Sequence, residues 1–240
     1  MFQAPFFRQT AFKLSIISTI QFVVLTTVAM LFYPGGSTLD ENSQSYSFFT
    51  NFFSELGLTE TYIGEPNTVS ALLFFIALNL SGLTLILFFI SFKQFFKSNL
   101  VVQIVSSLGM LIGIISGISF MGVAFTPANL YIDAHVDFVF WAFGSFPIAV
   151  ILFIIAIFLE RSYPNKNAGV FIVFAVSLIA YYLLLSGGPS IDTLRGLQIQ
   201  VTGQKLIAYA TVVSTLVQSI YALRQNSEPA PSGSIELKTT

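Results

Sequence analysis

Residues 46–67 read YSFFTNFFSELGLTETYIGEPN, the one long stretch with many polar residues that lies between apolar runs. At helical spacing its first half places Phe48, Phe49, Phe52, Phe53 and Leu56 on one side. Ser47, Thr50, Asn51, Ser54 and Glu55 fall on the other. Phenylalanine anchors opposite an almost uncharged polar side predict an interfacial amphipathic helix over about 46–57, its Asn, Ser and Glu turned towards the protein.

Outward from this stretch the chain is apolar. Of its 240 residues, 55% are hydrophobic, 15% aromatic and only 9% charged, whereas soluble domains carry about 25% charged residues. A soluble domain is excluded. Apolar runs cover 14–33, 68–92, 101–125, 135–159, 168–186 and 200–223, each long enough at about 1.5 Å per residue to cross a hydrocarbon core of about 30 Å. The expected class is therefore all-α integral membrane: a six-transmembrane-helix bundle forming one membrane domain over 1–224, with a disordered cytoplasmic tail over 225–240. The first run reads as a retained span, because Tyr33-Pro34-Gly35-Gly36 is not a small-x-small cleavage site. There is no cysteine, hence no disulfide, thiolate nucleophile or Cys-ligated metal. A net charge of -1 without a basic cluster gives no reason to expect nucleic acid, so the expected partner is membrane lipid and no cofactor is called for.

Charge sets the expected orientation. Arg8, Lys13, Lys93, Lys97, Arg161, Lys166, Arg224 and Lys238 fall in one set of connections and ends, and only Arg195 and Lys205 in the other. Eight against two places both termini in the cytoplasm. Eight of the acids lie on the opposite, outer side or at outer span ends, against Glu160, Glu228 and Glu236 inside.

Within the spans, Gly109, Gly113 and Gly117 recur every fourth residue and form a groove for helix packing. Pro147 is expected to kink the fourth span. Asn79, Ser81, Gln103 and Gln218 are lone polar residues suited to helix–helix hydrogen bonds. Lys205 is the one basic residue well inside a span and requires an anion; Glu55 or Glu65 is the preferred partner, and snorkelling to the headgroups is the alternative. His135, the single histidine, stands between Asp133 and Asp137. One histidine without cysteine is a poor zinc set, which leaves a structural or proton-responsive role or a substrate contact. Nucleophilic catalysis by Ser54 or Ser70 with His135 lacks the supporting G-x-S-x-G turn.

FYPGGS after the first span, NFFSELG, the Pro66-Asn67 entry to the second span, Thr126-Pro127 with His135, and Gln204-Lys205 together resemble the prokaryotic six-span family called domain of unknown function 998. The chain is also distantly similar to DRAM/Frag-type membrane proteins. The resemblance implies a six-helix bundle with a characteristic outer loop, and it brings no activity with it. Ser54-Glu55 with a later Asp and His is similar to alkaline ceramidase and adiponectin-receptor-like zinc hydrolases, but two further histidines are missing.

The expected function is binding of a lipid headgroup or small polar ligand in an acidic outer-side pocket. Its expected residues are Asn51, Ser54, Glu55, Glu65, Asp133, His135, Asp137, Gln204 and Lys205, with no metal. An intramembrane hydrolase using His135 and the nearby acids is the alternative, and a small transporter the third.

Overall fold

The computed structural model describes residues 4–227, so most of the expected tail lies outside the described residues; 225–227 continue the last helix. Six helices account for the architecture: α1 (Ala4–Phe32), α2 (Thr68–Phe92), α3 (Leu100–Phe125), α4 (Ile132–Leu159), α5 (Ala168–Gly187) and α6 (Leu194–Ser227). All six are long and apolar enough to cross a membrane, which makes this a multi-pass membrane protein. The expected runs lie within these helices to within a residue at either end, while α1 starts about ten residues earlier and α6 extends beyond its run at both ends.

Each helix packs on the next, and α6 returns to α1, so the six form a ring closed in chain order. The glycines of α3 make the close contacts possible. A Cβ at Gly113 would meet the Phe89 ring at 2.3 Å, and one at Gly117 would meet Ile86 at 2.6 Å and the Gly82 carbonyl at 2.9 Å. Ser116 hydroxyl donates to the Ala142 carbonyl at 3.0 Å, joining α3 to α4. Pro147 lies inside α4. Gln218 amide donates to the Asn167 carbonyl at 2.7 Å, while Asn79 donates within its own helix to Phe75 and Gln103 to the Lys97 carbonyl.

The two ends of the ring are filled differently. At the end carrying connections 93–99 and 160–167, here the terminal end, Phe92 packs on Phe88, Phe96, Phe153, Tyr163 and Phe171 with centroids 5.0–5.7 Å apart. This aromatic cluster excludes water from the middle of that end. Glu160 is buried beside it and ties the two connections together. One carboxylate oxygen accepts from the Lys97 and Ser98 amides at 2.9 and 3.0 Å, and the other from the Ser162 hydroxyl at 2.8 Å. Burial alone pushes the acid up, but these donors outweigh it and hold the carboxyl at about 2.

The opposite end carries residues 33–67, and here the expected α-helix over 46–57 is not formed. Turns run through 48–51, Phe52 is extended, and only Phe53–Gly57 is helical, as a 3-10 turn. Competition for backbone carbonyls explains this. An α-helix would pair the Asn51 carbonyl with the Glu55 amide, yet that carbonyl accepts from the Tyr46 hydroxyl and from Lys205, and the Glu55 amide goes to Phe52 instead. The two faces are redistributed accordingly: Phe53 and Leu56 are buried alongside Asn51 and Glu55, while Phe48 and Phe49 remain exposed.

Candidate functional site

The FYPGGS and NFFSELG segments meet to form a cap on the loop end of the ring. Gly35 and Gly36 take positive φ values of 132° and 81°, and a Cβ at Gly35 would lie 2.2 Å from the Ser43 carbonyl, so the Pro-Gly-Gly turn requires glycine there. That turn presents the Gly36 carbonyl to the Asn51 amide at 2.7 Å. Asn51 is the hub of the cap. Its amide also donates to the Glu55 carboxylate at 2.5 Å, its side-chain oxygen accepts from the Ser47 amide at 2.8 Å, and its main-chain carbonyl takes Lys205.

Lys205, on α6, is fully buried and reaches up into this cap. Its ammonium donates to the Asn51 carbonyl and lies 5.1–5.4 Å from the ring centroids of Tyr46, Phe48 and Phe53, an aromatic cage suited to a cation. The expected pairing with Glu55 is thus made through Asn51 and through space rather than by direct contact. Adjacent on α6, Gln204 accepts the Phe53 amide at 2.6 Å, a second tie between the last helix and the loop.

Glu55 is buried with few donors. Burial pushes its carboxyl up to about 7, and the Asn51 amide, the Phe52 backbone, the Lys205 charge and the Tyr62 hydroxyl only partly offset that. Tyr33 and Tyr46 are raised by burial and by the Glu55 charge. The Tyr33 hydroxyl is buried without a hydrogen-bond partner.

Beneath the cap, between α1, α2, α3, α4 and α6, lies a cavity of about 110 Å3. Phe53, Ser54 and Gln204 form its loop end, and Phe22, Phe74, Phe120 and Phe143 its middle. Hydroxyls line it below: Ser15, Ser18 and Thr19 from α1, Ser81 and Thr84 from α2, Thr211 and Thr215 from α6. Nothing ionisable lines it among the described residues.

The nine expected site residues therefore divide. Asn51, Ser54, Glu55, Gln204 and Lys205 are brought together in the cap and the cavity wall beneath it. Glu65, Asp133 and Asp137 are exposed. His135 is buried, and its Nδ1–H donates to the Thr126 carbonyl at 2.6 Å, closing the last turn of α3. Among the described residues no three His, Asp or Glu side chains converge as a metal site would require. Sequence reasoning missed Tyr46, which anchors the loop, and the cavity hydroxyls. The spacing Ser15-Ser18-Thr19 and Thr211-Thr215 does align them on helix faces, but helical hydroxyls are common and only the ring's closure shows which face turns inward.

Comparison with protein-family models, with curated proteins and with solved structures gives no match to this chain.

Proposed function

We propose that this chain is a plasma-membrane protein that binds a lipid or other small amphiphile in the cavity between its helices, with the 33–67 loop closing that cavity on the outer side. One observation carries the reading: a cavity with a largely apolar surface and polar groups at both ends lies directly under a hydrogen-bonded cap, and apolar pockets with placed polar groups are where proteins hold small ligands. Asn51, Glu55, Gln204 and Lys205 fix the cap, and Ser54 and Gln204 face the ligand. Eight-against-two Lys and Arg asymmetry supports cytoplasmic termini. Exposed Phe48 and Phe49 suit a loop resting among the lipid headgroups. FYPGGS and NFFSELG, which carry the resemblance to the domain of unknown function 998 family, are the two segments that build the cap.

Native mass spectrometry of the detergent-purified chain, beside an Ala208→Phe variant that fills the cavity, tests the binding reading. A lipid retained by the wild type and lost by the variant is the expected result. Lipid-free wild type, or equal retention by both, overturns it. Since the chain has no cysteine, single cysteines placed at Ser98 and Asp192 report orientation: a membrane-impermeant maleimide added to intact cells labels the second alone.

A further inference from the structure

From the hydrogen-bonding state of the cavity wall we infer the ligand's chemical class: a neutral lipid alcohol, its hydroxyl lying among the α1, α2 and α6 hydroxyls and its apolar body against the phenylalanines. The inference rests on the binding reading above and concerns what that cavity accepts.

A side-chain hydroxyl has one hydrogen and two lone pairs. Four of the cavity hydroxyls have already committed that hydrogen to a helix carbonyl: Ser15 to Ala11 at 2.9 Å, Thr19 to Ile16 at 2.7 Å, Thr84 to Leu80 at 2.9 Å and Thr211 to Ile207 at 2.9 Å. What they offer a ligand is lone pairs. Ser18 points its hydrogen at Ser81 at 3.5 Å, and behind the cavity wall Gln21, whose amide goes to the Ala77 carbonyl and the Ser81 hydroxyl, leaves its side-chain oxygen buried without a donor. Ser81 accepts from both Ser18 and Gln21 and, like Thr215, keeps its own hydrogen to give, so this end of the cavity offers a ligand more acceptors than donors.

A ligand group that brings a hydrogen is therefore favoured, and one that brings only acceptors is not. A carboxylate is the worst case: it adds acceptors and a charge, and no Lys or Arg lines the cavity to balance it. An ammonium would bring donors but would be buried opposite no carboxylate. A neutral hydroxyl meets neither objection.

The other end is complementary. Gln204's orientation is fixed because its oxygen accepts the Phe53 amide, which leaves its NH2 group as a donor on the cavity wall near Ser54. Gln204 and Thr215 are eleven residues apart on α6, about 16 Å along the helix. An extended chain with a hydroxyl at one end spans such a distance between the two polar ends.

The test uses the full chain in detergent and four probes of matched length: hexadecanol, palmitate, methyl palmitate and hexadecane, each measured by displacement of a fluorescent lipid probe. Hexadecanol is expected to bind about tenfold more tightly than palmitate and methyl palmitate. Thr84→Val with Thr211→Val, which keep shape and remove two acceptors, should weaken hexadecanol about fivefold and leave hexadecane unchanged. Palmitate or methyl palmitate binding as tightly as the alcohol overturns the inference while leaving a lipid-binding cavity in place. Failure of all four probes, together with wild type that retains no more lipid than Ala208→Phe, overturns the binding reading and the inference with it.

Discussion

Glu160 and Glu55 are both carboxylates withdrawn from water, one at each end of the ring, and their surroundings drive them in opposite directions. Glu160 receives two backbone amides and a serine hydroxyl and sits at about 2. Glu55 receives one amide at close range and a tyrosine hydroxyl at 3.5 Å, and burial lifts it to about 7. Both are shielded from solvent, but Glu55 lies deeper within the protein and has fewer donors, and the two differences act together. The terminal end is built as a permanent seal: an ionised acid saturated with donors beside packed phenylalanines. The loop end is a cap built around Glu55, an acid that still exchanges its proton near neutrality.

The largest effect that would break this contrast comes from Glu160→Ala. Removing the acceptor takes charge-assisted hydrogen bonds away from the Lys97 and Ser98 amides and the Ser162 hydroxyl at once, and a stability loss of about 3 kcal/mol is expected in detergent unfolding. A loss no greater than that of an average surface substitution would show that the terminal end does not depend on this acid.

The pH dependence comes next, with opposite signs at the two ends. Glu160 titrates at about 2 in the fold against 4.5 when free, so its contribution is fully present above 4.5 and is lost as pH falls from there towards 2. Glu55 titrates at about 7 against 4.5, so its cost to the fold appears as pH rises through 4.5 to 7 and is constant above. That interval corresponds to about 3 kcal/mol at most. Glu55→Gln should abolish the decline between pH 5 and 7 and leave the acid limb below 4.5 untouched. A decline that survives in Glu55→Gln would assign it elsewhere.

Lys205→Met removes the cation from the aromatic cage and from the Asn51 carbonyl. It should cost about 2 kcal/mol, measured at pH 6 and at pH 8. Protease protection of the 33–67 loop reports this locally. Equal stability of variant and wild type at both values would mean that Lys205 contributes nothing to the cap. The smallest effect is expected from Gly36→Ala, at about 1 kcal/mol, because φ is 81° and the new methyl would sit 2.9 Å from Tyr62.

The six helices were legible because an apolar run of twenty residues has few alternatives in a chain with so little charge. The cap was half legible. Glu55 and Lys205 stood out as ionisable groups needing partners, but their union through Asn51 depends on a main-chain carbonyl, which no residue type advertises. Period reasoning failed over 46–57 because it assumes each carbonyl is free for the amide four residues on, and here Tyr46 and Lys205 take it first. Asp133 and Asp137 looked like site residues only by flanking His135, and on a helix neighbours two apart do not share a face.

The reach of Lys205 and Gln204 has a consequence for how the protein is made. Their partners in the loop lie 154 and 151 residues earlier in the chain, and α1 meets α6 only when the ring closes. Until the ribosome has delivered the last helix, the Asn51 carbonyl and the Phe53 amide lack their α6 partners and the seam beside α1 stays open. The same contacts that finish the cap thus mark the difference between an incomplete chain and a finished one, a difference that membrane quality-control proteases can act on.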